Sequence, residues 1–494
     1  MNNAHGPGEV GLRDIGTHDV ASRGHAAHAA HSEGAGRAAQ TVAQTGLDLP
    51  FLAELTAKAA AVEGKISLAQ LVERLKLTIP VLDEVTGFMI RERQLEVMHR
   101  GAADFDVQYQ LTEEGRVRAI GYLARCAYVG PAPVTLDAYA QAVARQSVTL
   151  MRISRPFARA ALAGLTLSET LVDEVGGAVN SGRPILLYGP PGGGKTHLAE
   201  ALVRLMPGTI DVPYAILIDR SIVQIYDPLV HVACAAAGDE KNADTAIPAA
   251  TSNRATVTSL NTPADRRWQR CRRPVVMAGG ELTLDMLELC YDAGTGFYQA
   301  PGHVKANNGL YIVDDLGRQR VAPQDLLNRW IAPLGRGTET LALQNGARFQ
   351  LPFDVRLAFS SNLTPEQLGD DAFLRRLGCK LYVGPLLQHE YRALFTSLCD
   401  ELGLRRDDDA FDFLVHRLHQ PARRPLLACY PRDLLSLVVA HATYREEAPV
   451  ATPDTLQRAW NSYFASGGNS NNAPQTLPMR PDHAGEVIRR FATA

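Results

Sequence analysis

The stretch Gly189-Pro190-Pro191-Gly192-Gly193-Gly194-Lys195-Thr196 follows an apolar run, Pro184 to Tyr188, and precedes an amphipathic one, His197 to Leu205. An apolar strand that stops at glycines and resumes as a helix is the setting in which G-x-x-x-x-G-K-[ST] cradles phosphate. Glycines let successive backbone N–H groups converge on phosphate oxygens, and the helix N-terminus adds positive potential. In that arrangement Lys195 neutralises the β- and γ-phosphates and the Thr196 hydroxyl ligates Mg²⁺. The loop predicts a nucleotide ligand inside an α/β domain.

The surrounding chain has 494 residues, enough for several domains with buried cores. Its formal net charge of −3 supplies no global field for steering toward nucleic acid or anionic membrane. The seven cysteines are scattered without a C-x-x-C pair, as in a reducing compartment. No apolar signal core and no membrane-length apolar run occur, so a cytoplasmic chain without membrane insertion is expected.

Residues 1–48 are rich in Gly, Ala and His and read as a disordered tail, with His25, His28 and His31 at every third position. Residues 49–128 alternate helical and strand patterns, ending in two short strands around a polar loop and a helix capped by Thr112. That order resembles a winged-helix α+β domain. With about ten Lys and Arg against about eleven Asp and Glu in it, phosphate-backbone affinity is lacking, and protein docking is the expectation. A linker over 129–154 leads into an α/β core over 155–386, interrupted by a polar insertion at about 236–264. A helical segment over 387–465 and a flexible tail over 466–494 complete the chain.

Two further strands are expected to bring polar ends to the loop. Gly309 to Val313 ends in Asp314 and Asp315, placing a carboxylate to hold the Mg²⁺ water shell. Val355 to Phe359 ends in Ser360, Ser361 and Asn362, and Asn362 is read as orienting the attacking water. Arg375 and Arg376 then stand before another strand, Lys380 to Val383. Pro274 to Ala278 reads as a further strand of the sheet, ending in Gly279-Gly280-Glu281. Glu281 either reaches the water beside Asp315 or caps a helix over Leu284 to Leu289.

The order of these parts resembles the AAA+ ATPase superfamily, and Gly309-Leu-Tyr-Ile-Val-Asp-Asp-Leu-Gly-Arg318 is similar to its MoxR-like and magnesium-chelatase branch. The resemblance implies a P-loop AAA+ core with a C-terminal helical lid, ATP and Mg²⁺ as cofactors, and Asn362 as sensor 1. It also implies Arg376 as arginine finger with Arg375 close behind, and Arg432 in Tyr430-Pro-Arg-Asp-Leu as sensor 2. One departure stands out: the family ends its carboxylate strand in Asp-Glu, and this chain has Asp314-Asp315. One methylene less withdraws the base by about 1.5 Å, so slow hydrolysis is among the outcomes expected unless the backbone compensates.

An arginine finger acting in trans implies a homo-oligomeric ring, expected as a hexamer. The expected function is ATP hydrolysis coupled to remodelling a protein client. Two alternatives stay open: a nucleic-acid-dependent motor or loader, and an ATP-gated scaffold with little hydrolysis. Arg266, Arg267, Arg270, Arg272 and Arg273 around Trp268 suit either single-stranded nucleic acid or an acidic subunit interface. Phe297 and Tyr298, in the Gly-rich stretch Gly294 to Tyr298, read as a loop anchor or a client-gripping loop.

Overall fold

The computed structural model describes residues 36–101, 107–234, 264–369, 374–375 and 377–464. The His-rich segment, the polar insertion up to residue 263, Arg376 and the tail over 466–494 lie outside the described residues. The chain divides into two compact units. The first holds residues up to Leu165, Glu169–Pro191 and Lys195–Val383; the second holds Thr166–Ser168, Gly192–Gly194 and Gly384 onward.

The first unit opens with α1 (Val42–Thr45) and α2 (Leu49–Glu63), the latter capped by Asp48, whose carboxylate accepts from Phe51 N. Ala38, Val42 and Leu47 are buried, so structure begins inside the stretch expected as a tail over 1–48. Composition alone misses this because these small residues gain their partners from far along the chain. Val42 N donates to Glu84 Oε2, and the Thr78 hydroxyl donates to Ala39 O. Next come β1 (Lys65–Ser67), α3 (Leu68–Leu75), α4 (Ile79–Arg91), β2 (Leu95–Arg100), β3 (Val107–Leu111) and α5 (Glu113–Arg125). Ser67 and Gln70 close a capping box that starts α3 directly after β1. The strands form an antiparallel sheet in the order β1-β3-β2. Leu52, Leu55, Leu71, Leu82 and Val85 fill a core that also takes in Ala215 and Ile222, so this region packs against the strands that carry those two residues.

The stretch expected as a linker contains β4 (Val134–Thr135) and α6 (Leu136–Arg145), and α7 (Arg155–Leu162) and α8 (Glu169–Ser181) follow. Then come β5 (Ile185–Tyr188), α9 (Lys195–Ala201), β6 (Thr209–Pro213), β7 (Ala215–Ile218), β8 (Ser221–Gln224), β9 (Trp268–Arg272) and β10 (Val275–Ala278). After β11 (Cys290–Asp292), β12 (Phe297–Gln299) and α10 (Gly302–Lys305) the chain runs through β13 (Leu310–Val313) and α11 (Pro323–Arg336). A hairpin of β14 (Thr338–Ala342) and β15 (Arg348–Pro352) precedes β16 (Arg356–Ser361), α12 (Pro365–Leu368) and β17 (Cys379–Tyr382).

Five of these strands form an all-parallel sheet in the order β10-β13-β16-β5-β17. Its three central strands are largely apolar and covered on both faces: Ile185, Leu186, Leu187, Leu310, Ile312, Ala358 and Phe359 are all buried. The fold class is therefore α/β. A second, mixed sheet runs β11-β12-β8-β7-β4, with an antiparallel β7–β8 hairpin within it. This sheet corrects two expectations. Phe297 and Tyr298 belong to β12 rather than to a loop, and Tyr298 is buried. The helix expected over Leu284 to Leu289 is one 3₁₀ turn, Asp285–Leu287, because the next residues are drawn into pairing with β12.

The arginines around Trp268 are engaged internally. Arg267 is buried, paired with Asp265 at 2.8 Å, and donates to Thr45 O and Pro133 O. Arg270 pairs with Asp211, Arg266 with Glu73, and Arg273 donates to Pro207 O, Gln146 O and Asn308 O. Four of the five charges that suggested a polyanion surface thus have protein partners.

The second unit is helical: α13 (Gln388–Glu401), α14 (Ala410–Phe413) continuing as a π-helical turn over Leu414–His419, α15 (Cys429–Tyr444) and α16 (Pro453–Tyr463). A short parallel pair, β18 (Arg405–Arg406) and β19 (Val450–Ala451), ties its loops. Tyr391, Phe395, Leu414, Leu434, Leu435 and Leu456 form its core around His419. His419 Nδ1 faces Arg424 O at 3.3 Å, which leaves Nε2 to accept from the Tyr391 hydroxyl at 2.9 Å. Burial, with the nearby Arg424 charge, lowers this imidazole from its ordinary 6.5 to about 4. A depressed folded-state value means that the unfolded chain takes up the proton first as pH falls. The stability due to neutral His419 is complete above pH 6.5 and is lost as pH falls toward 4. Urea midpoints are expected to drop across this window, by up to about 1.4 kcal/mol per pH unit, and the slope to shrink in His419→Gln. An equal slope in the variant would assign the acid sensitivity to other groups.

Candidate functional site

The central sheet delivers the polar residues to one edge because all five strands point the same way. β16 lies between β5 and β13, so its C-terminal Ser360, Ser361 and Asn362 stand between the glycine-rich loop after β5 and the carboxylates after β13. Gly189 leaves β5 with φ 148°, and a Cβ there would lie 2.3 Å from Val383 O, which excludes any other residue. Gly194 has φ 92°, a conformation that turns the loop into α9 without the strain a side chain would add.

Lys195 is buried and folds back over its own loop. Nζ donates to Gly189 O at 3.0 Å, Pro190 O at 2.8 Å and Asn362 Oδ1 at 2.8 Å. Burial lowers its pKa, while the carboxylates of Asp315 and Asp314 act the other way. A lysine offers only donors and a carboxylate only acceptors, so the Asn362 amide between them has one orientation. Its Oδ1 faces Lys195 and its Nδ2 donates to Asp315 Oδ1 at 2.9 Å. Asn362 therefore joins the lysine of the glycine-rich loop to the second carboxylate.

The Thr196 hydroxyl lies 2.9 and 3.1 Å from the two Asp314 carboxylate oxygens. Ser360 Oγ donates to Asp314 Oδ1 and accepts from Asp315 N. A divalent cation tests well against this pair: two hard protein oxygens suit Mg²⁺, which keeps several waters and takes its remaining ligands from substrate phosphates.

Asp315 has φ 52°, in the left-handed region where Asp and Asn are the side chains best tolerated. The departure from Asp-Glu thus coincides with a backbone turn that a short side chain suits. Arg318 NH1 lies 4.0 Å from Asp315 Oδ2, and Gln319 staples the turn by donating to Asp314 O and Gly279 O. Gln319 carried no motif signal. Ser360 was visible as a polar strand end, but its hydrogen bonds to the Asp314 carboxylate and from Asp315 N were not.

Glu281 is placed differently. Its carboxylate accepts from Gly279 N at 2.8 Å, within its own turn, and the shortened 3₁₀ segment takes no side-chain cap from it. Arg375 is exposed, and Arg376 lies outside the described residues. Arg432 stands on α15 of the second unit, paired with Glu401 at 3.1 Å. Among the described residues no helix is long and apolar enough to cross a membrane.

Residues 387–462 match a family described as a domain of unknown function (DUF8689). A search of the curated proteins found no match. Among solved structures, NtrX from Brucella abortus in complex with ATP aligns at 13% identity and a TM-score of 0.35, over 60% of this chain and 58% of that one. The Thermotoga maritima RuvB Holliday junction branch migration motor aligns at 14% identity and a TM-score of 0.32, over 60% and 69%. The chain thus spans less than two thirds of the NtrX chain. At these scores the likenesses add no argument to the parallel α/β core and its glycine-rich loop.

Proposed function

We propose that this protein is an AAA+ ATPase that binds ATP with Mg²⁺, hydrolyses it in a homo-oligomeric ring, taken as a hexamer, and so remodels a protein client. The observation that carries the reading is the continuous contact from Lys195 through Asn362 to Asp315, beside Thr196 on Asp314. On nucleotide entry, Lys195 exchanges the Gly189 and Pro190 carbonyls for β- and γ-phosphate oxygens, with the loop N–H groups of residues 192–196 around them. Thr196 and Asp314 would hold Mg²⁺, which supplies charge neutralisation on the phosphates. Asp315 takes a proton from the attacking water as its oxygen bonds to the γ-phosphorus and the bond to ADP breaks. Asn362 holds that carboxylate in place.

Asp315 serves as base without Glu281, whose carboxylate is engaged locally. Arg376, or Arg375 beside it, is the finger supplied to a neighbouring subunit, and Arg432 the nucleotide sensor of the helical unit. A protein client is favoured over nucleic acid because Arg266, Arg267, Arg270 and Arg273 have internal partners. The winged-helix-like region over 49–128 is the docking module in this reading.

Arg376→Ala is expected to lower turnover without lowering ATP affinity. Mixing it with Lys195→Ala subunits is expected to restore part of the activity, since each variant keeps what the other lacks. A steady-state ATPase assay of the mixture is the measurement. A mixture as inactive as either parent would mean that Arg376 acts within its own subunit.

A further inference from the structure

The helical unit contains a cavity of about 190 Å³ lined by Val438, His441, Arg445, Glu447, Val450 and Arg458, among others. His441 and Arg445 stand one turn apart at the end of α15, and Arg458 faces them from α16. Elsewhere in this unit Arg392, Arg406 and Arg432 each pair with a carboxylate. Among the described residues Arg445 and Arg458 form no ion pair; the Arg458 Nε donates to Asp454 O at 3.3 Å. A cation at Arg445 also complements the end of a helix dipole, but Arg458 lies inside α16, where the dipole asks for none. The α15 terminus is closed by its own backbone. Arg445 N and Glu447 N both return to Ala442 O, and Glu446 N to Thr443 O, so the carbonyls there are already partnered. The cavity wall thus presents the side chains of Arg445, Arg458 and His441, with the Glu447 carboxylate beside them, rather than open backbone carbonyls.

We infer that this cavity is a binding site for a small phosphate monoester. Two guanidinium groups and an imidazole from two helices match the non-bridging oxygens of a phosphate, and guanidinium forks are suited to such oxyanions. The volume is many times the ~10–15 Å³ that one water needs, more than inorganic phosphate fills. Val438 and Val450 line it with apolar surface that suits a carbon body, and Glu447 accepts from a hydroxyl on that body. All these residues fall within 387–462, so the site belongs to the matched domain of unknown function. The inference stands independently of the phosphate loop.

Calorimetry tests it on the full chain carrying Lys195→Ala, which removes the loop as a competing phosphate site, at constant ionic strength. Glycerol 3-phosphate is the probe. Saturable one-to-one binding is expected, weakened at least tenfold by Arg445→Gln and by Arg458→Gln, with circular dichroism unchanged in each. No saturable heat, or an affinity indifferent to both substitutions, would overturn the site. Inorganic phosphate is expected to bind more weakly, and equal affinity of the two probes would refute the monoester as the ligand class.

Discussion

Lys195→Ala is expected to abolish productive ATP binding and to lower turnover by about a thousandfold or more, equivalent to about 4 kcal/mol of lost stabilisation. The lysine is the only fixed cation that the glycine-rich motif aims at the terminal phosphates. Its present partners also set the stability outcome. Nζ is buried against two loop carbonyls and Asn362, and burial lowers its pKa while Asp315 and Asp314 act the other way. Removing it takes the donor from the Gly189 and Pro190 carbonyls and from Asn362 Oδ1, so a modest fall in melting temperature with a single cooperative transition is expected. Loss of activity with an intact melting transition, read by nucleotide titration and calorimetry, separates a chemical role from a structural one. Equal ATP affinity and rate in the variant would remove the phosphate-loop assignment.

Asp315→Asn is expected to lower turnover by about 10²- to 10⁴-fold while ATP affinity is kept. The carboxylate is the acceptor at the end of the chain from Lys195 through Asn362, and an amide in its place cannot take a proton from water. Asparagine tolerates the left-handed backbone at φ 52°, so the variant leaves the turn intact and isolates the loss of the base. Single-turnover hydrolysis with saturating ATP is the measurement. An unchanged rate would move the base elsewhere. Glu281, bonded to Gly279 N, would then need testing by Glu281→Gln.

Much of the site was legible because its parts are local. A glycine-rich loop between a strand and a helix, a strand ending in two aspartates and a strand ending in Asn362 each declare themselves within about ten residues. The strands β2 and β3 and the helix capped by Thr112 were legible for the same reason, through alternation and a capping residue. The mixed sheet was not. β4, β8 and β12 each contribute only a few residues, and β4 and β12 pair with strands more than about seventy residues away. Local pattern cannot tell such a segment from a loop.

By itself, the sequence determined the α/β class, the glycine-rich loop between a strand and a helix, and the candidate residues Lys195, Thr196, Asp314, Asp315 and Asn362, because periodicity and motif spacing are properties of contiguous residues. Only the tertiary structure decided that β16 lies between β5 and β13, which gives Asn362 both Lys195 and Asp315 as partners. It also decided that four of the five arginines around Trp268 are engaged with Asp265, Asp211, Glu73 and backbone carbonyls, and that Glu281 turns back on Gly279. These outcomes depend on which distant groups satisfy a charge. A charged side chain has one identity in the sequence, but its partner is chosen by the three-dimensional arrangement that desolvates it.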